Sequence, residues 1–219
     1  LTKKTRYATL AALLMALDCM HLTQTQIATI DSFPVLFIIL AFFFMLRFMQ
    51  TDMTRATVKE MLPSLAFSGL FMGHAIASKW IGIYAGAGLA ILYFAHGYRS
   101  IRYERSKGGE GTVPQKFFTL CLYCLLFFVA VPAAIYLLSY IPYFAYNRAI
   151  RSFGDFLQNV AGAQETMFSY HSTPGLGMDH PFYSPWYEWP IIKRPMYYAM
   201  DSYLDTETAS CAIFSFGNP

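Results

Sequence analysis

Residues that could do chemistry fall into separate groups along this sequence. Asp18 and His21 sit three positions apart in an apolar run, and Asp31 stands just before a second run. A carboxylate inside or at the edge of a membrane is costly, so it commonly faces a polar cavity and takes part in function. Each also has a plainer reading. Asp31 can cap a helix whose first turn holds Pro34, by accepting a free backbone N–H. Asp18 and His21, on one face of a helix, can be a structural pair. Lys79 and Trp80 fill the short break 78–80 between two further apolar runs. A lysine there can hold a phosphate as a point charge, or it can snorkel to lipid headgroups beside an interfacial tryptophan. His74, inside the preceding run, reads as a residue that bonds one helix to another.

The densest group is His180-Pro181-Phe182-Tyr183-Ser184-Pro185-Trp186-Tyr187-Glu188-Trp189-Pro190, followed by Lys193-Arg194-Pro195, with His171 upstream. Aromatic rings stack on the apolar faces of sugars, prolines stiffen the loop that presents them, and Lys193 and Arg194 can hold an anion. The alternative is an interfacial aromatic belt. Two histidines, a glutamate and this many prolines exceed what a belt needs, which favours a binding site. Cys121 and Cys124 form a CxxC inside an apolar run without a second Cys or His pair, so they read as small buried residues of a helix, not as a zinc site.

The elements that must position these residues are membrane helices. Of 219 residues, 56% are hydrophobic, 18% aromatic and 13% charged, against about 25% charged in soluble domains. The net charge of +3 is small, and no basic tract with interleaved aromatics suits nucleic acid. Apolar runs predict about five spans, at residues 7–22, 33–49, 62–77, 81–96 and 117–140, each near the length a bilayer requires. Lys3, Lys4 and Arg6, then Arg47, Arg55 and Lys59, then Arg99, Arg102, Arg105, Lys107 and Lys116 fall on one side if every span crosses. That side is expected to be cytoplasmic. Residues 23–32, 78–80 and everything from 141 onward then face outward together.

The expected organisation is thus a transmembrane region over residues 1–140 and an extracytoplasmic, aromatic and proline-rich loop over 141–219. Residues 106–114, with Gly108, Gly109 and Gly111, read as a flexible connector. An amphipathic helix is expected over about 146–167, lying on the membrane surface. Residues 201–218 are expected to return toward the membrane as the start of a further helix. The chain opens on Leu1 and closes on Pro219, and both ends are expected to be cuts through a longer protein.

Three stretches resemble a known family. Leu17-Asp18-Cys19-Met20-His21 through Gln24-Thr25-Gln26-Ile27-Ala28-Thr29-Ile30-Asp31 is similar to a stretch of the protein O-mannosyltransferases. So are Ser68-Gly69 through Ala77-Ser78-Lys79-Trp80-Ile81-Gly82-Ile83-Tyr84, and Met167-Phe168-Ser169-Tyr170-His171 through His180-Pro181 and residues 184–190 to Arg194-Pro195. They occur in the family's order. The flavour is that of bacterial members, which lack a soluble lectin-like insert.

The resemblance implies an all-α, multi-pass cell-membrane protein, a polytopic helical bundle of the GT-C glycosyltransferase type with a large extracytoplasmic loop. It implies transfer of mannose from a polyprenyl or dolichyl phosphate to Ser or Thr of an acceptor protein, with inversion at the anomeric carbon. It names no certain cofactor and leaves room for a divalent cation. The candidate catalytic residue within the chain is Asp31, because the family's acidic base is expected upstream of Leu1; the chain alone is then expected to be inactive. Asp18, Gln26, Lys79, His171, His180, Trp186, Glu188 and Arg194 are the candidates for binding donor or acceptor. Gln26 departs from the family, which usually carries arginine there to neutralise the donor phosphate; Lys79 or Arg194 would have to compensate. The competing readings are a transferase of another lipid-linked sugar, a transporter and a non-catalytic scaffold. Transporters usually show repeats and broken helices near the bilayer centre, whereas here the polar residues crowd one face.

Overall fold

Long apolar stretches without internal polar breaks leave the backbone no partner but itself, and the chain folds as helices. The computed structural model describes residues 4–27, 29–109, 111–146, 150, 152–175, 178, 183–191, 193–201 and 211–215. They divide into two compact units, one of residues 30–162 and the other of residues 1–29 with 163–219.

The unit 30–162 is built on α3 (Ser32–Met49), α4 (Val58–Ser78), α5 (Gly82–Ser106) and α6 (Thr112–Leu125). Helix α6 runs through a π-helical turn (Leu126–Ala130) into α7 (Val131–Ser139), followed by the short α8 (Ile141–Tyr146). Among the described residues, three stretches are long and apolar enough to cross a membrane: Ser32–Met49, Val58–Ser78 and Thr112–Tyr146. Helix α5 begins at Gly82, one residue into the expected span 81–96, and continues past it into Arg99, Arg102 and Arg105. The bundle turns large apolar side chains outward, among them Leu36, Ile39, Phe43, Phe67, Phe118, Leu122 and Leu125. In water that surface would be costly; in lipid it is the expected face. This is a helical membrane protein.

Inside, Met45, Phe48, Met61, Leu65, Leu89, Tyr93, Phe117 and Leu120 form one core across α3, α4, α5 and α6. Tyr93 stacks between Phe48 and Phe117, with centroids 5.7 and 5.1 Å away, and its hydroxyl donates to the Phe117 carbonyl at 3.0 Å and lies 3.4 Å from Cys121 Sγ. Cys121 and Cys124 are free thiols in this packing. Small residues set the closest helix approach, as expected where lipid supplies no hydrophobic drive. A Cβ on Gly69 would lie 2.2 Å from the Phe127 carbonyl oxygen, and one on Gly73 would lie 3.0 Å from Pro132 Cα. The π turn precedes Pro132, whose ring lacks an N–H and so breaks the regular ladder upstream of it. The buried Ser68 hydroxyl donates to the Ala41 carbonyl at 2.8 Å, tying α4 to α3.

The other unit begins with α1 (Thr5–Ala16) and α2 (Cys19–Gln26). The expected single span 7–22 is therefore two helices. Asp18 is the reason: its backbone is extended, and its Oδ1 accepts the His21 N–H at 2.7 Å as the N-cap of α2. Helix α9 (Phe153–His171), whose residues up to Gly162 belong to the unit 30–162, starts later than the expected 146, where Ser152 and Asp155 form a reciprocal capping pair. A 3-10 turn (Trp186–Ile191) follows, then β1 (Met196–Asp201) and β2 (Cys211–Ser215), paired antiparallel from Met196 opposite Ser215 to Asp201 opposite Cys211. The expectation of a helix starting within 201–218 is thus corrected at 211–215. Ile213 and Phe214 favour a pleated strand, and the tyrosine-rich β1 supplies the pairing edge.

The connector 106–114 is also more ordered than its glycines implied. The buried Glu104 carboxylate accepts the Thr112 N–H and hydroxyl and the Val113 N–H, all at 3.0–3.2 Å, and so caps α6. Gly108 and Gly111 adopt positive φ of 69° and 74° to make that return.

Candidate functional site

Helix α4 ends at Ser78, whose hydroxyl turns back to the His74 carbonyl at 2.8 Å. Lys79 then takes an extended backbone (φ −161°, ψ 136°) while its N–H still closes the helix on Ala75. The chain re-enters a helix almost at once, because Gly82 can sit against the end of α4; a Cβ there would come within 2.6 Å of the Ala75 carbonyl carbon. This tight reversal aims the Lys79 side chain at the start of α3. Its Nζ donates to Asp31 Oδ1 at 2.5 Å.

Asp31 is not the cap that its position before α3 allowed. Its backbone is already helical (φ −65°, ψ −25°) and its side chain makes no capping bond. The side chains of Lys79 and Asp31 are 45% and 32% exposed, so an incoming anion can reach the ammonium.

Trp80 fixes the other side of the turn. Its Nε1–H donates to Tyr136 Oη at 2.8 Å, and Tyr136 Oη lies 3.1 Å from Tyr140 Oη. Tyr140 stacks on Phe144 at 5.7 Å, which meets the edge of Phe156 at 5.5 Å. A ladder of rings thus runs from the Lys79 turn along α7 and α8 to the start of α9. Sequence reasoning missed Tyr136 and Tyr140; their signal was two tyrosines four apart at the end of an apolar run. His74 bonds within its own helix, Nδ1 to the Leu70 carbonyl at 2.9 Å, instead of bridging helices, and only its ring touches α3, at Phe37.

The remaining candidates lie in the other unit. Asp18 caps α2, and Gln26 is its exposed last residue. His171 ends α9, with its ring edge-on to Tyr170. Trp186 is exposed in the 3-10 turn. Glu188 accepts from Lys193 Nζ and sits 3.4 Å from the Ser184 hydroxyl. Arg194 Nη1 donates to the Tyr183 carbonyl at 3.0 Å. Lys193 and Arg194 are therefore engaged within their own loop. His180 lies outside the described residues.

Residues 1–146 match the family described as dolichyl-phosphate-mannose-protein mannosyltransferase. The chain belongs to that family. The part matched holds Asp31, Lys79, Trp80, Tyr136 and Tyr140 together, so the whole arrangement at the Lys79 turn is inside the protein mannosyltransferase region. The chain is 25% identical to a polyprenol-phosphate-mannose–protein mannosyltransferase of Mycolicibacterium smegmatis strain MKD8, over 92% of this chain and 45% of that protein. A protein of the same description from strain mc(2)155 is 24% identical over the same shares. The chain thus spans 45% of the length of the curated relatives it matches. No solved structure matches it.

Proposed function

We propose that this chain is part of a membrane mannosyltransferase that takes mannose from a polyprenyl or dolichyl phosphate and transfers it to Ser or Thr of a protein at the extracytoplasmic face. The Lys79–Asp31 pair at one end of α3 and α4, within the family-matched region, carries the reading. In the reaction the acceptor hydroxyl oxygen bonds to the anomeric carbon of mannose as the bond from that carbon to the phosphate oxygen breaks. The lipid phosphate leaves with the electron pair, and the hydroxyl proton passes to a carboxylate. Charge builds on the leaving phosphate, so a fixed cation beside it lowers the barrier.

Lys79 supplies that cation. Asp31, with Oδ1 already accepting from Lys79, serves to orient the ammonium more than to take the acceptor's proton. Trp80, held by Tyr136, keeps the turn in place. The aromatic loop around Trp186 and Glu188 offers ring faces and a carboxylate to a sugar or an acceptor peptide, and His171, His180, Arg194, Asp18 and Gln26 are its further binding candidates.

The test is an assay of membranes carrying the full-length protein, supplied with polyprenyl-phosphate mannose and a Ser/Thr peptide. Mannosyl peptide is the expected product. Transfer from another lipid-linked sugar, with none from the mannosyl donor, would replace this reading by a different sugar specificity.

A further inference from the structure

Helix α3 has 18 residues and so rises about 27 Å, close to the roughly 30 Å apolar thickness of a bilayer. Its two ends therefore sit at the two headgroup levels. Asp31 marks one. At the other, a cavity of about 260 Å³ opens between the loop after α3 and one face of α5. Thr51, Asp52, His96, Arg99, Ser100 and Tyr103 line it. The four α5 residues recur at helical spacing, so they present one polar face.

The walls carry opposite charges that do not meet. Asp52 Oδ1 accepts the Thr54 N–H and hydroxyl at 2.9 and 2.7 Å, and these bonds hold its carboxyl below the usual carboxylate range. It is an anion at neutral pH, loosely accompanied by the exposed Arg55 at 3.7 Å. Arg99 has no ion-pair partner among the described residues, Asp52 included. An anion alone would satisfy Arg99 but meet Asp52 with like charge. A cation alone would do the reverse. A short zwitterion satisfies both.

At headgroup depth the zwitterions at hand are phospholipid headgroups. A primary ammonium can donate hydrogen bonds to Asp52, whereas a quaternary ammonium has no proton to give. The cavity also falls just below the roughly 300–1,000 Å³ of sites for larger ligands, which suits a headgroup better than a sugar–lipid. We propose that this cavity binds the phosphoethanolamine headgroup of a membrane lipid, with Arg99, Ser100 and Tyr103 on the phosphate and Asp52 on the ammonium. The site is a membrane thickness away from Lys79 and does not rest on the transferase reading.

The experiment is native mass spectrometry of the full-length protein titrated with phosphatidylethanolamine, phosphatidylcholine and phosphatidylglycerol. Phosphatidylethanolamine should bind about tenfold more tightly than either of the others, the scale of one charge-assisted hydrogen bond. Arg99→Gln should weaken it by about tenfold, with Arg99→Lys between. Arg102→Gln, a neighbouring cation outside the cavity, should leave it unchanged. Asp52→Asn should abolish the preference over phosphatidylcholine and strengthen phosphatidylglycerol. Equal binding of all three lipids by the unaltered protein would overturn the proposal without any variant. So would equal losses in Arg99→Gln and Arg102→Gln.

Discussion

Lys79 and Asp31 are 48 positions apart in the sequence, yet the Lys79 ammonium lies 2.5 Å from the Asp31 carboxylate. Both side chains are partly exposed, and exposed ion pairs contribute only about 0–1 kcal/mol to stability. The pair is therefore poorly explained by folding alone. Asp31→Asn and Lys79→Ala should shift the detergent-solubilised thermal midpoint little while lowering mannose transfer by tenfold or more. A fall in stability matching the loss of transfer would reassign the pair to a structural role.

Two glycines, Gly69 in α4 and Gly86 in α5, make an opposite prediction. Gly69→Ala would press a methyl group into the Phe127 backbone, and overpacking of this kind costs about 1–3 kcal/mol. Gly86→Ala meets only the flexible Met72 thioether at 3.2 Å and should be nearly neutral. Thermal unfolding of the two variants side by side checks the contrast.

Tyr136→Phe removes one hydroxyl and leaves Trp80 Nε1–H without its acceptor. A hydrogen bond of this sort contributes about 0.5–1.5 kcal/mol. The expected outcome is a modest stability loss and a shift in the tryptophan emission contributed by Trp80. In a double-mutant cycle, Trp80→Phe and Tyr136→Phe should be non-additive; full additivity would mean the bond does not couple them.

Much of this was legible before the structure. Apolar runs located α3, α4 and the long α6–α7 rod, because period and hydropathy are local signals. That Asp31 and Lys79 share one end of the bundle followed from counting crossings. What escaped was set by single side chains. Asp18 breaks a run that hydropathy joins, since one carboxylate on one N–H outweighs several apolar neighbours. Glu104 converts a glycine-rich connector into a cap from eight residues away. The β1–β2 pairing escaped because a short apolar run reads equally as helix or strand.

Glu104 is correspondingly the most exposed to test of these small devices. Glu104→Ala strips the acceptor from the Thr112 and Val113 amides, and charged hydrogen bonds contribute about 1.5–3 kcal/mol. Hydrogen exchange should rise at residues 112–116 and not in α3; unchanged protection there would show that α6 starts without the cap.

The central claim is that the Lys79 ammonium holds the phosphate of the lipid donor, and donor affinity measures it most directly. Binding of polyprenyl-phosphate mannose to the purified full-length protein should weaken about 10- to 100-fold in Lys79→Ala, since a charge-assisted contact of about 1.5–3 kcal/mol is lost. It should recover in part in Lys79→Arg. Donor affinity unchanged in Lys79→Ala, in a protein that remains folded, would contradict the account.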